Sequence, residues 1–372
     1  MSAEIFSDED FMAAAIAFAR RGLGETAPNP SVGAIIVKDG VIVGRGATQR
    51  GGRPHAETVA IADAGSAARG ATLYVTLEPC SHQGVTGPCA NAILQAGLVR
   101  VVSAIEDPDP RVTGRGHEIL RKAGIEVSVG VLADSARRGN LGHILRVTQG
   151  RPMVTLKLAE TADGFAAAAN AHDPRLMITG QSANNRVQVM RALHDAIMIG
   201  IGTALGDDPL LTVRLPGLEQ RAPLRVVLDS NLRLPLRSRL VATAREKKVL
   251  VIAGVGASME SRAALEAQGV EVEFVARGAG GHVDLTDALH ALGARGITRV
   301  FSEGGPHVAA ALIAQGLADE VVLLRGVKPF GGEGLPVLAE DARRILTDPA
   351  RFSRVSESMA GPDRLTRFER VL

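Results

Sequence analysis

Residues 73–105, LYVTLEPCSHQGVTGPCANAILQAGLVRVVSAI, hold an apolar strand from Leu73 to Leu77, a helix from about Cys89 to Ala96 and a second strand from Val99 to Ile105. Strands alternating with helices pack as α/β layers around a largely parallel sheet. Upstream, Ser7 and Asp10 form a capping-box-like start, and Phe11, Ala14, Ala15, Ile16, Phe18 and Ala19 recur at helical spacing until Gly22. Past Pro28-Asn29-Pro30, Gly33 to Val37 and Val41 to Gly44 are β-branched runs joined through Asp39-Gly40, a favoured hairpin turn; a helical stretch follows from His55 to about Ala64. Downstream, His117 to Ala123 and Ile125 to Val131 add a helix and a strand. Residues 1–148 are expected to form one three-layer α/β/α domain.

A second series begins after Gly150-Arg151-Pro152, where Met153 to Leu158 restarts a strand. Strand-like runs at Ala196 to Ile201, Leu224 to Leu228, Val249 to Ile252, Val270 to Val275, Arg299 to Phe301 and Glu320 to Leu324 alternate with helical stretches at 181–193, 258–267, 284–293 and 306–315. Residues 149–372 are therefore expected to form a second α/β/α domain, and a chain of 372 residues suits two. Its segments Gly200 to Gly206 and Gly254-Val255-Gly256 miss the spacing of the dinucleotide fingerprint, so a standard Rossmann domain is not expected.

Composition narrows the function. With 46% hydrophobic residues, 22% charged residues and net charge +2, the chain has the material for real cores. Up to Thr148 it carries 15 Lys and Arg against 15 Asp and Glu, and beyond it 27 against 25, so neither half is a basic body built for polyanions. Aromatics make up 3%, with no Trp, which counts against base-stacking platforms and hence against a nucleic-acid partner. Glu4, Asp8, Glu9 and Asp10 stand where a secretory signal needs positive charge, and no run approaches the roughly 18 apolar residues of a membrane span. A cytoplasmic enzyme with no membrane partner is expected. Cys80 and Cys89 are the two cysteines, too few for a disulfide framework and candidates for metal binding.

The chemistry concentrates in Pro54-His55-Ala56-Glu57, Glu78-Pro79-Cys80 and Pro88-Cys89. One imidazole and two thiolates are the soft donors that Zn2+ prefers, and three protein ligands leave the fourth tetrahedral position for water. Zinc makes that water reactive near neutral pH, while Glu57, beside a ligand, can shuttle its proton to a leaving amine. The order His-x-Glu, Pro-Cys, Cys is that of zinc-dependent base deaminases, although eight residues separate Cys80 from Cys89 where the commonest nucleobase deaminases have two. Two plain cysteines in a core, or a closed structural site completed by His82, are the competing readings. In the second half, Arg191, Arg214 and Arg225 are candidates for a substrate phosphate, and Ser302-Glu303-Gly304-Gly305-Pro306 for a strand end opening a helix that holds a cofactor phosphate.

Pro28-Asn29-Pro30 with Val32-Gly33, Pro54-His55-Ala56-Glu57, Thr76 to His82 and Gly114-Arg115-Gly116 resemble the deaminase half of the bifunctional riboflavin-biosynthesis deaminase/reductase family, which also accommodates the eight-residue gap. Leu156 to Ala159 with Asp163-Gly164, Gly202-Thr203-Ala204 with Asp207-Asp208-Pro209, Leu211 to Arg214, Leu228-Asp229-Ser230 and Glu303 to Pro306 resemble its reductase half. The resemblance implies a cytidine-deaminase-like first domain and a dihydrofolate-reductase-like second. It implies zinc on His55, Cys80 and Cys89, Glu57 as proton shuttle, and loss of the 2-amino group from 2,5-diamino-6-(5-phosphoribosylamino)-pyrimidin-4(3H)-one. NADPH reduction of the ribosyl group to ribityl would follow. Asn29 and His82 would line the pyrimidine pocket. Ala159, Thr203, Asp207, Ser230 and the turn and helix Gly305, Pro306, His307, Val308, Ala309, Ala310 and Ala311 would hold NADPH. Arg191, Leu211, Arg214 and Glu303 would hold substrate, and a homo-oligomer, dimer or tetramer, is implied too.

Two stretches depart from the family pattern. Val85 stands where a basic residue is usual before the second cysteine. Phe165 to Met177 is Ala-rich and about two residues longer than usual, leaving Arg175 and Met177 as stand-ins for substrate and cofactor contacts, with His172-Asp173 read as a charged loop tip. The alternative is therefore a deaminase whose reductase-like half has drifted and lost activity. An inert zinc fold sensing a metabolite is disfavoured, because a sensor has no use for Glu57.

Overall fold

Ser7 caps the first helix of the computed structural model, which describes residues 6–81, 87–110, 112–168 and 177–371. The Ser7 hydroxyl accepts from the Asp10 amide, and the Asp10 carboxylate accepts from the Ser7 amide, the reciprocal capping box expected from sequence. Two units follow along the chain, Met1–Gly150 and Arg151–Leu372.

In the first unit, helix α1 (Asp8–Ala19) precedes β1 (Gly33–Lys38) and β2 (Val41–Ala47), and the remaining elements are α2 (Ala56–Ala64), β3 (Thr72–Val75), α3 (Cys89–Ala96), β4 (Arg100–Ser103), α4 (Arg115–Lys122), β5 (Glu126–Val129) and α5 (Ala133–Gln149). Asp39 and Gly40 take φ of 51° and 76°, the left-handed pair that a two-residue hairpin demands. The sheet runs β2-β1-β3-β4-β5, with β1 antiparallel to both neighbours and the other pairs parallel. The carboxyl ends of β2, β3 and β4 thus share one edge with the amino end of β1. Met12 and Ala15 of α1, Ala60 of α2, Ile93 of α3 and Leu120 of α4 bury their side chains in the core with Ile35, Leu73 and Val101. A Cβ on Gly46 would lie 2.2 Å from the Ala56 carbonyl, so glycine lets α2 rest directly on β2.

The second unit contains β6 (Met153–Glu160), β7 (Phe165–Ala168), α6 (Gln181–Ala192), β8 (Ala196–Gly200), α7 (Ile201–Asp207), β9 (Leu224–Leu228), α8 (Arg239–Ala242), β10 (Val249–Gly254), α9 (Met259–Ala267), β11 (Glu271–Val275), α10 (Leu285–Ala294), β12 (Arg299–Ser302), α11 (Pro306–Ala314), β13 (Glu320–Arg325), β14 (Gly334–Pro336), α12 (Glu340–Thr347), β15 (Phe352–Ala360) and β16 (Asp363–Arg370). Its nine-stranded sheet has the order β11-β10-β9-β8-β12-β6-β13-β16-β15, parallel through β13 and antiparallel in the last two pairings. Part of the Ala-rich stretch at 165–177 is strand: β7 pairs with β14. Helix α5 and the β15–β16 hairpin carry no apolar period by which to read them: α5 buries Ala136, Asn140, Gly142 and Leu145, and β15 is exposed at every position between Phe352 and Ala360.

Buried polar groups gather where the second unit's parallel strands begin. Arg151 donates to both Asp319 oxygens at 2.7 and 2.9 Å, and Asp195 accepts from the amide and hydroxyl of Thr298. His194 donates from Nδ1 to the Met190 carbonyl at 2.7 Å and places Nε2 3.0 Å from the Thr155 hydroxyl. Burial, then the charge of Arg299, pushes His194 down to about 3. The folded ring stays neutral while the unfolded chain binds a proton near pH 6.5, so this contribution is intact above about pH 6.5 and is lost as pH falls towards 3. The unfolding constant should rise by up to about tenfold per pH unit across that window. Urea melts of the second unit's transition between pH 7.5 and 4.5 should show this slope, flattened by one proton in His194→Gln; identical slopes would contradict it.

Candidate active sites

In the first unit, His55 N-caps α2 and Glu57 occupies its first turn, while Cys80 lies beyond the carboxyl end of β3 and Cys89 is the first residue of α3. His55 Nδ1 lies 3.6 Å from Cys80 Sγ and 3.3 Å from Cys89 Sγ, and the three donor atoms all lie within 4.8 Å of one another. Zinc bonds of about 2.0–2.3 Å at a tetrahedral angle separate N and S ligands by about 3.5 Å, so these atoms fit the ion. The ends of the eight-residue gap are pinned regardless of its length: the Cys89 amide donates to Cys80 Sγ at 3.3 Å and the Ala90 amide to the Cys80 carbonyl at 3.2 Å.

The electrostatics agree with a cation site. The Cys89 thiol, with His55 and the Cys89 amide, holds Cys80 down to about 4, whereas Cys89 is pushed up by Cys80 and by burial. A cation held between the two sulfurs would favour both as thiolates. His55 is raised, chiefly by Cys80. Glu57 is 3% exposed, and burial, then the negative charge of Cys80, pushes it up to about 7. Asn29 arrives from the amino side of β1 and donates from Nδ2 to the Gly52 carbonyl at 2.8 Å, three residues from His55.

Glu78 turns out to be scaffold. Its buried carboxylate accepts from the amides of Asp107, Gly114, Gly116 and His117 at 3.2, 2.9, 2.9 and 3.3 Å, tying the start of α4 to the loop that bears Cys80. An anion at a helix amino end is well placed, and each charge-assisted bond is worth about 1.5–3 kcal/mol. This also accounts for Gly114-Arg115-Gly116, because a Cβ on Gly116 would stand 2.0 Å from the Pro79 carbonyl.

In the second unit the candidate residues cluster at the carboxyl ends of β6, β8, β9 and β12. The Glu303 amide donates to the Met198 carbonyl at 2.9 Å. The Glu303 carboxylate takes two bonds from Arg191, at 2.6 and 3.0 Å, and Arg191 also donates to the Thr212 carbonyl. Arg214 lies beside them, 3.5 Å from the Thr212 hydroxyl, and burial and the charges of Arg191 and Arg239 lower its proton affinity. Thr203 Oγ1 lies 3.3 Å from where a Gly305 Cβ would stand, and Pro306 opens α11, leaving the His307 and Val308 amides without intrahelical acceptors. This glycine-lined cradle of amides fits a cofactor phosphate.

A family model for the cytidine and deoxycytidylate deaminase zinc-binding region matches residues 6–105, and one for the RibD C-terminal domain matches residues 152–356. The riboflavin biosynthesis protein RibD of Escherichia coli is 38% identical over 367 residues, 96% of this chain and 97% of that protein. Among solved structures, Acinetobacter baumannii RibD superimposes with a TM-score of 0.85 at 34% identity, covering 99% of this chain and all of the other. A Thermotoga maritima diaminohydroxyphosphoribosylaminopyrimidine deaminase/5-amino-6-(5-phosphoribosylamino)uracil reductase gives 0.82 at 34% identity, covering 98% and 99%. This chain belongs to the RibD family. It is a bifunctional enzyme of riboflavin biosynthesis, a zinc-dependent deaminase and an NADPH-dependent reductase, and it acts on small molecules. The alternative of an inactive reductase half finds no support in these matches.

Within the RibD frame, several expectations change. Arg225 is no phosphate ligand: it is 1% exposed and donates to the Leu210 and Thr243 carbonyls and the Thr243 hydroxyl. Leu211 is 3% exposed in an apolar cluster, which leaves its backbone to meet a ligand. Ala309 is fully buried and its amide donates to the Gly305 carbonyl, so it faces the core and not a cofactor. Ala159 is half-buried on β6, Asp207 ends α7, and Ser230 is buried two residues past β9. Ala310 and Ala311 are half-buried on α11, and Met177 is exposed. His82, Val85, His172, Asp173 and Arg175 lie outside the described residues. Arg239, beside Arg214, escaped sequence reasoning because nothing in its local pattern separates it from a surface arginine.

Gly116→Ala should disrupt the Pro79–Cys80 segment. Zinc per chain and ammonia release are expected to fall about tenfold or more while NADPH binding is retained; full zinc and full deaminase activity would show that the segment shifts at no cost.

Proposed function

We propose that His55, Cys80 and Cys89 hold the zinc ion, that Glu57 is the proton shuttle, and that Asn29 and His82 line the pyrimidine pocket of the deaminase. The observation that carries this is the donor triangle of His55, Cys80 and Cys89 beside a buried, non-ligand carboxylate. Zinc, when bound, supplies the Lewis acidity that makes water a nucleophile near neutral pH. Glu57 takes a proton from the attacking water and passes it to the 2-amino nitrogen. As the C2–N bond breaks, ammonia leaves, C2 becomes a carbonyl and the second hydrogen of the water ends on ring N1, converting 2,5-diamino-6-(5-phosphoribosylamino)-pyrimidin-4(3H)-one into 5-amino-6-(5-phosphoribosylamino)uracil.

In the reductase, Ala159, Thr203, Asp207, Ser230 and the Gly305–Ala311 segment are assigned to NADPH, with Ala309 acting through packing. Arg191, Arg214, Glu303, Arg175 and the Leu211 backbone are assigned to substrate. NADPH, when bound, would supply a hydride to C1′; the bond to the ring oxygen opens there and that oxygen takes up a proton. Arg191, its charge balanced by Glu303, fixes geometry, and Arg214 with Arg239 supplies positive charge for the substrate phosphate. The enzyme is also proposed to work in the cytoplasm as a homo-oligomer without a nucleic-acid partner. No helix among the described residues is long and apolar enough to cross a membrane.

Glu57→Gln should lower ammonia release by about a hundredfold or more, the usual scale of general acid–base catalysis. Zinc content and NADPH oxidation on the deaminated substrate should be unchanged. Loss of zinc would make Glu57 structural support, and undiminished ammonia release would reject the shuttle.

A further inference from the structure

Arg277 follows β11 by two residues, and its side chain reaches back across the carboxyl ends of β10 and β9. Its Nε donates to the Val255 carbonyl at 2.9 Å, Nη1 to the Gly281 carbonyl at 2.7 Å, and Nη2 to the Ser230 carbonyl at 2.7 Å and Asn231 Oδ1 at 3.0 Å. Gly254 admits it: a Cβ there would lie 2.7 Å from Arg277 Nε. The glycines at 254–256 that miss the dinucleotide fingerprint thus have a local purpose at 254.

Arg191 is neutralised by Glu303, and Arg325 and Arg343 by Glu160. Among the described residues Arg277 has no carboxylate partner and rests on carbonyl and amide oxygens alone. Its positive charge is unbalanced, and one of its five N–H groups, on Nη1, is unspent. The neighbours are donors too. Ser230 Oγ accepts from the Val283 amide at 2.9 Å, leaving its own hydrogen to give, and Asn231, exposed and accepting through Oδ1, has its Nδ2 hydrogens as donors. Nearby carboxylates are engaged elsewhere: Asp229 with the Leu234 amide and Arg233, and Asp284 with the Asp287 amide.

The geometry points to Arg277, with Ser230 and Asn231, as the group that binds the 2′-phosphate of NADPH and sets the preference over NADH. This rests on the reading of the second unit as an NADPH reductase. The cradle at Gly305, His307 and Val308 follows β12, two strands from β9 in the sheet, or about 10 Å at the usual strand spacing. A dinucleotide whose pyrophosphate lies there brings its adenosine ribose over the ends of β9 and β10, the crevice that open α/β sheets use for such ligands. A phosphate dianion meets there a fixed guanidinium that needs no reorganisation.

Calorimetric titration of the full chain with NADPH, NADH, adenosine 2′,5′-bisphosphate and 5′-AMP tests this. Arg277→Gln should weaken NADPH and the bisphosphate by about ten- to a hundredfold, the scale of one charged hydrogen bond, and leave NADH and 5′-AMP within about twofold. Arg277→Lys, which keeps the charge, should retain most of the preference and serves if the glutamine variant does not fold. Equal weakening of all four nucleotides would make Arg277 a strut for the strand ends, and an unchanged NADPH affinity would remove it from the site; either overturns the inference. Wild-type protein that binds none of the four would instead sink the reductase reading on which it stands.

Discussion

Parallel strands deliver their successors to one edge of a sheet, and both sites of this enzyme depend on that constraint. In the first unit β2, β3 and β4 point the same way, so His55, Cys80 and the Asp107 loop emerge side by side although they are far apart in sequence, and the reversed β1 brings Asn29 to the same edge. In the second unit β6, β8, β9 and β12 do likewise for Ala159, Thr203, Ser230 and Glu303. Helices that start at such an edge point their unpaired amides into the site, and ions collect there.

Keeping these edges in order takes buried carboxylates that do no chemistry. Glu78 gathers four amides, and Glu160, fully buried, faces Arg325 and Arg343. A lone buried carboxylate would take up a proton or destabilise the fold, so each is matched with donors on several sides. Glu57 is the contrast: two residues from His55 and 3% exposed, it is pushed up by burial, as the proton shuttle proposed for it requires. The two acids differ in surroundings: Glu78 is ringed by amides, whereas Glu57 is buried beside His55, Cys80 and Cys89.

Sequence made the deaminase site legible because its chemistry needs rare residue types. His55, Cys80 and Cys89 announce themselves by identity, and the spacing to Glu57 supplies the second clue. The hairpin at Asp39-Gly40 was equally readable, since few residues tolerate positive φ. Charge chemistry in the second unit was harder to rank. Arg225 and Arg214 look alike in the sequence, yet one is sealed among carbonyls and the other lies in a cluster of like charge. Helix α5 and strand β15 escaped for opposite reasons: beside Leu145 the helix buries small and polar residues, Ala136, Asn140 and Gly142, and the strand is solvated at all but its ends. Both follow from tertiary packing, which a local hydrophobic period does not report.

The central claim is that one chain performs both steps, each at its own strand edge. Ammonia release and NADPH oxidation, followed together on the diaminopyrimidine ribosyl-phosphate with zinc measured on the same sample, test it most directly. The account predicts ammonia first, NADPH loss after it, and one zinc per chain. Ammonia without NADPH consumption, or turnover in protein free of zinc, would contradict it.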